Sequence, residues 1–245
     1  MSNNEIAVLP DTSLCAIVRD EEMNPAGGIE RFVETIAPHV EEAVVVDTGS
    51  LDRTKEILID LRNKHKNLKI YECLFTSFAQ ARNVAMSYVR TKRSIILDAD
   101  EIIDEEGFAN LAGLIKESPK RSINLNFINV YPDGTLRQIG YFVLNPRLIF
   151  NSSHAYFVNS HNKFNWEYVK YRTSFGKSSD LTENFSHTSN AGDKVKVYHF
   201  MPDEKGEDLK SENLYDDKEN WAKAPSTLLG FNEWKKYSPA RERFK

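Results

Sequence analysis

Cysteine is scarce here: the 245 residues hold only Cys15 and Cys73, far apart and each in an apolar context. That excludes a disulfide scaffold and a closely spaced thiolate zinc site, and both read as reduced core thiols. Long hydrophobic runs are missing as well. No oily stretch approaches the ~20 residues that span a bilayer. The opening MSNNEIAVLPDTS has no basic region leading into an apolar one, so the expected location is cytoplasmic, at most peripheral to a membrane. Nor does charge of one sign dominate: 32 Lys+Arg against 36 Asp+Glu give a net charge of −4 and a pI near 5.9. Without a lysine- or arginine-rich block, nothing predicts a nucleic-acid partner. No G-x-G-x-x-G follows any apolar run, which argues against a dehydrogenase.

What is present is 40% hydrophobic and 28% charged residues, enough for one large globular domain over 1–245. From Ser13 onward short β-rich runs alternate with helical patterns: SLCAIVR, a helix, AVVVD at 43–47, a helix, LKIYEC at 68–73, a helix, and SIILD at 94–98. This order predicts the α/β class with a mostly parallel central sheet. In the first helix Ile29, Phe32, Val33 and Ile36 form an i, i+3, i+4, i+7 stripe, with Asn24 and Pro25 as cap and first-turn residue. In the third, Ser77 followed by Gln80 predicts a capping box ahead of a Phe78, Ala81, Ala85, Val89 stripe, which sets Arg82 and Asn83 in the early turns. After residue 105 the rhythm changes: a helix over 105–117, the run RSINLNFINVY, a PDGT turn, then RLIF and VKVYHF predict a mixed second half. The chain ends in a charged stretch with Phe231, Trp234, Tyr237 and Phe244 among basic residues, and no internal repeat or low-complexity linker demands a second domain.

Three stretches carry chemistry: two lie at predicted strand ends and the third opens a helix whose amino end should point to the same sheet edge, where ligands bind in open α/β sheets. In IILDADE, a strand running through residue 100 would turn Asp98 and Asp100 to one side with Ala99 behind them. Two carboxylates in one space raise a pKa unless something neutralises them. Nothing nearby in sequence does, so the charge is expected from outside, as Mn²⁺ or Mg²⁺ held by one or two carboxylates plus substrate phosphates. The bland alternative is a helix cap or a solvated loop. In AVVVDTGSLDRT, Asp47 at a strand end can accept the N–H of a base or a ribose hydroxyl, Gly49 permits a positive φ or close ligand approach, and Asp52 reads first as an N-cap. In FTSFAQARNVA, Arg82 serves either a surface ion pair or a charge-assisted contact to a nucleotide.

Taken together, these stretches resemble the family 2 glycosyltransferases, the group with the GT-A fold. SLCAIVRDEE resembles the first strand and its Asn-Glu-Glu turn, with Asp20 in place of the usual Asn. VVVDTGSLDRT, FAQARNVAM and IILDADE match the next three motifs in the expected order, covering roughly residues 14–104. The resemblance implies a GT-A-type, Rossmann-like sandwich in which about 12–104 form the nucleotide-sugar half, about 105–200 the acceptor side, and about 201–245 a helical, aromatic extension. It also implies a nucleotide-sugar set of Ala16, Val18, Glu21, Asp47, Gly49, Arg82, Asp98 and Ala99. Asp100, with His199 of VKVYHF, is the implied metal set. In NPRLIFNSSHAYFVNSHNKF the likeness sets His161 on the family's His and Asn162 on its Glu, which an amide cannot replace as a base. The candidate catalytic residues are therefore Glu101 and His161, with Glu167 and Asp180 also open as bases.

The function expected is metal-dependent transfer of a sugar from a nucleotide-diphosphate donor, a UDP-sugar favoured, to a hydroxyl of a saccharide, lipid-linked or protein acceptor, with inversion. A nucleotidyltransferase would want a glycine-rich loop directly after the first strand, whereas VRDEEMNPAGG has its glycines too late. Asn162 keeps alive a rival of another class, a catalytically silent nucleotide-sugar or glycan-binding module.

Overall fold

The structure is a computed structural model; it describes residues 6–117, 122–132, 134–141, 146–151, 155–159, 167–172, 178–180, 188–201 and 222–223. The first half runs β1 (Leu9–Val18), α1 (Gly28–Ile36), β2 (Val40–Asp47), α2 (Thr54–Lys64), β3 (Leu68–Glu72), α3 (Phe78–Tyr88), β4 (Arg93–Ile96), β5 (Glu101–Ile102) and α4 (Glu105–Glu117). The second is strand-rich: β6 (Ser122–Asn124), β7 (Asn126–Val130), β8 (Thr135–Tyr141), β9 (Leu148–Phe150), β10 (Ala155–Asn159), β11 (Glu167–Arg172), β12 (Ser178–Asp180), β13 (Thr188–Asn190), β14 (Lys196–Phe200) and β15 (Ala222–Lys223). A seven-stranded sheet has the order β13-β6-β9-β4-β1-β2-β3, with β4, β1, β2 and β3 parallel and β9 antiparallel to its neighbours. A second sheet, β15-β8-β7-β14-β5, mixes directions, and β10-β11-β12 form a small antiparallel one. The parallel front half and mixed second half are as the patterning predicts. None of the described helices is long and apolar enough to cross a membrane.

The unbroken apolar strands are explained by cover on both faces. Along β1, Leu14, Ala16 and Val18 enter one core while Cys15 and Ile17 enter another; in β2, Ala43 and Val45 part in the same way from Val44 and Val46. The first core is closed by Phe32 of α1, Leu58 of α2 and Phe108 of α4. The second is closed by Ala79, Ala81 and Ala85 of α3 and by Phe157, Val169 and Tyr171 of the small sheet. Val89 packs at its margin, but Phe78, expected in the stripe, is 49% exposed and stacks edge-on against Phe75.

Two element ends and one half of a capping box depart from expectation. Helix α1 starts at Gly28, and Gly27 and Gly28 take φ 100 and 91, values that L side chains avoid. Asn24 stands four residues ahead of that start and is buried; its Oδ1 accepts the N–H of Ala26 at 2.9 Å and of Gly28 at 3.0 Å, and its Nδ2 donates to the Ala99 carbonyl at 2.9 Å. It therefore ties the α1 turn to residue 99. Helix α3 keeps half of its capping box: Ser77 Oγ accepts the Gln80 N–H at 3.2 Å, but Gln80 Oε1 is buried without a partner among the described residues. Strand β4 stops at Ile96, and the Glu101 N–H closes a turn on the Asp98 carbonyl at 3.0 Å.

Candidate functional site

The ends of β1 and β2 are register partners, Val18 opposite Asp47, so the loops that follow them meet. Asp20 takes φ 54, a left-handed conformation that Asp and Asn tolerate best among side-chain-bearing residues. Its Oδ1 accepts the N–H of Leu51 at 2.6 Å and of Asp52 at 3.2 Å, while its own N–H donates to Ser50 Oγ at 2.9 Å. The Glu21 N–H donates to Thr54 Oγ1 at 2.7 Å, and that of Glu22 to Asp52 Oδ2 at 2.9 Å. Asp52 Oδ1 also accepts from Thr54, the first residue of α2, at 3.0 Å, so the expected cap acts one position outside the helix boundary. The carboxylate at position 20 thus does all its work as an acceptor, and the amide donor of the usual Asn is not needed.

Asp47 is fully buried. Its Oδ1 accepts the N–H of Gly49 at 2.8 Å and of Ser50 at 2.9 Å, and its Oδ2 has no hydrogen-bond partner among the described residues. Gly49 has φ 108, and a Cβ added there meets nothing within 4 Å, so glycine serves conformation rather than close packing. Lys55 Nζ stands 4.0 Å from Asp47 Oδ1 and binds Glu72 at 2.7 Å.

Beyond β4 the turn at 98–101 sends its acids in different directions, because the chain is no longer extended. Asp98 lies between two guanidiniums: Oδ1 pairs with Arg82 Nη2, and Oδ2 is 3.5 Å from Arg147 Nη2. Arg147 also pairs with Glu101 Oε1, and Glu101 Oε2 accepts the Asp98 N–H at 2.9 Å. Arg82 is 1% exposed, Glu101 2% and Arg147 7%, whereas the Asp98 side chain is 39% exposed, so buried partners hold a carboxylate that itself reaches solvent. Asp100 instead meets His199, Nε2 to Oδ2 at 3.6 Å, and His199 Nδ1 lies 3.1 Å from Asn129 Oδ1. Register explains that meeting: β14 sets His199 opposite Glu101 on one side and Asn129 on the other.

A family model of glycosyl transferase family 2 matches residues 20–188. The chain belongs to this family. Among curated proteins, a TPR repeat-containing protein of Synechococcus elongatus is 33% identical over 105 residues, 43% of this chain and 24% of that one. Among solved structures, the 1–349 fragment of S. aureus TarS in complex with UDP-GlcNAc aligns with a TM-score of 0.57 at 20% identity, over 82% of this chain and 61% of that one. The same fragment in complex with UDP gives 0.55 at 19%, over 78% and 60%. This chain therefore spans about a quarter of the curated relative and about three fifths of the TarS fragments. At such identities the structural likeness is one of fold, and that fold is GT-A.

Within this family 2 domain the residues anticipated from sequence fall into distinct groups. Glu21, Asp47, Gly49, Arg82, Asp98, Asp100, Glu101 and His199 stand at the carboxyl edge of the central sheet or in the strands beside it. Ala16, Val18 and Ala99 are 0%, 3% and 3% exposed in the first core, so their side chains are closed to a ligand. The Val18 carbonyl is also taken by Thr48 and that of Ala99 by Asn24. His161 and Asn162 lie outside the described residues, as do the side chains of Glu167 and Asp180. Arg147 was missed: NPRLIF marks it only as a cation ahead of an apolar strand, and its partners are remote in sequence. Its presence corrects the expectation that the acids are neutralised only from outside, because Arg82 and Arg147 serve Asp98 and Glu101 from within.

The electrostatics follow. Burial alone would raise the Asp98 carboxyl, but Arg82 and then Arg147 outweigh it and hold it below its usual range. Burial raises Glu101 even with Arg147 against it. Glu21 is pushed up to about 8 by burial and then by Asp100, Asp98 and Asp52. Burial disfavours charge on His199, yet Asp100, Glu101 and Asp98 raise it to about 9. Among the described residues no group of three or more His, Cys, Asp or Glu is set to hold a metal. The pair Asp100–His199 nevertheless fits Mn²⁺ or Mg²⁺ of the kind held by few protein groups and completed by phosphate oxygens and water. Asn129 Oδ1 can accept the Nδ1 proton, so a cation arriving at Nε2 would displace only the proton that Asp100 favours there.

Proposed function

We propose that this domain transfers a sugar from a nucleotide-diphosphate donor, a UDP-sugar favoured, to a hydroxyl of a saccharide, lipid-linked or protein acceptor, with inversion and with Mn²⁺ or Mg²⁺ as cofactor. The observation that carries the proposal is the buried Asp47 Oδ2, which has no partner among the described residues and stands on the same sheet edge as Asp98 and Asp100. A buried carboxylate oxygen without a donor is costly, and the ring N–H of a pyrimidine base would satisfy it. Gly49 lies in the loop beside it. Asp98, held by Arg82, would accept ribose hydroxyls, and Glu21 would face the nucleoside from the β1 turn. Asp100 and His199 would hold the cation, which offsets the charge that builds on a leaving diphosphate. The UDP and UDP-GlcNAc bound to TarS support the choice of donor. For the base we retain His161, on the family segment it matches; Glu101, with both oxygens engaged, is assigned to holding the turn.

The test is donor turnover. Purified protein incubated with UDP-sugars should release UDP slowly by hydrolysis, only with Mn²⁺ or Mg²⁺ present, and faster once an acceptor is supplied. Tight nucleotide binding without any turnover would replace this proposal with the silent binding module.

A further inference from the structure

Arg147 has a bonding pattern that neutralisation alone does not explain. One nitrogen, Nη2, is shared between Glu101 Oε1 and Asp98 Oδ2, the second at 3.5 Å. The guanidinium carbon lies 4.9 Å from the centroid of the Phe127 ring, which fixes its plane. The side chain is 8% exposed, yet Nε and Nη1 have no hydrogen-bond partner among the described residues. A residue kept for stability alone would not leave two buried N–H groups idle, because each carries a desolvation cost that a smaller or apolar side chain avoids. The geometry is that of a strut: Phe127 behind, Glu101 locked to the Asp98 backbone on one side, and the Asp98 carboxylate in front.

We propose that Arg147 is a positioning residue of the donor site, holding the Asp98 carboxylate in the orientation that receives the nucleotide. This deepens the donor-site proposal and rests on it. Arg82 grips the other oxygen of Asp98, so the two arginines together define the carboxylate plane. Arg147 acts through Asp98 and has no need to touch the donor.

A double-mutant cycle read by calorimetric UDP binding with Mn²⁺ tests this, using wild type, Asp98→Asn, Arg147→Lys and the double variant. Lysine keeps the charge but loses the rigid fork. Supporting groups behind ligand-binding side chains typically cost about 10- to 100-fold when altered. Arg147→Lys should therefore weaken UDP binding by about tenfold while the near-UV spectrum stays native, and in the Asp98→Asn background it should add no further loss. Losses that multiply in the double variant, or an Arg147→Lys affinity equal to wild type, would overturn the proposal while leaving the donor site standing. Wild-type protein that binds none of UDP, GDP or dTDP would overturn the donor reading and this one with it. If Arg147→Lys does not fold, Glu101→Gln, which loosens the strut without removing it, carries the same cycle with the same expectations.

Discussion

At the scale of single residues, the site is a set of carboxylates sorted by what surrounds each one. Asp47 has spent one oxygen on the Gly49 and Ser50 amides and keeps the other free. Asp47→Asn would keep the loop bonds through its carbonyl oxygen but present an NH₂ where the proposed base N–H arrives. UDP binding should weaken by about 10- to 100-fold, the worth of a hydrogen bond to a charged group, with the melting temperature nearly unchanged. Glu21 makes the opposite case, since burial and then Asp100, Asp98 and Asp52 raise it to about 8. A carboxyl raised above its unfolded value near 4.5 adds stability that is complete below that value and is lost as pH climbs through about 8. Glu21→Gln in EDTA should therefore melt higher than wild type at pH 9 and show no such advantage at pH 4; equal gains at both pH values would refute the assignment. Asp47, Asp98 and Asp100 were legible because each follows an apolar run to its end. Arg147 was not, because Glu101 is 46 residues away and no local pattern joins them.

At the scale of elements, Asn83 joins the two halves. From α3 its Nδ2 donates to the Phe157 carbonyl at 2.8 Å and its Oδ1 accepts the Phe157 N–H at 2.7 Å, so the carboxamide pairs with β10 as a strand edge would. One helical turn thus holds the donor-side Arg82 and the clamp on the small sheet. Asn83→Leu leaves two backbone groups unpaired and should destabilise by about 3 kcal/mol in urea unfolding. A loss near zero would mean that the apolar contacts of Phe157 and Val169 suffice. Gly28→Ala should be worse, because its Cβ would lie 2.4 Å from the Glu22 carbonyl oxygen at a φ of 91; insoluble expression or a collapsed melting temperature is the expected result. Periodicity located α1, α3 and β4, and the Ser77 cap also gave the start of α3, but the start of α1 and the end of β4 were not legible. The α1 start depends on a pair of glycines and on a bond from Asn24 to Ala99, and the end of β4 on contacts to arginines from other elements. Such tertiary bonds leave no trace in a local window.

At the scale of the whole molecule, the parallel strands β4, β1, β2 and β3 direct their carboxyl ends and following loops to one edge, and β14 brings His199 to the turn beyond β4. The α/β rhythm made that edge legible, because alternation makes the strands parallel and so brings their carboxyl ends to one side. The β14 contribution was legible only by family likeness, since pairing between residues 101 and 199 is a long-range event. The central claim is that this edge binds a nucleotide diphosphate through Asp100 and a divalent cation. Calorimetric titration with UDP, with and without Mn²⁺, on wild type and Asp100→Asn, tests it most directly. The account predicts metal-dependent binding by wild type and at least a tenfold loss in the variant; equal binding by both proteins, or none by wild type with Mn²⁺ present, would contradict it.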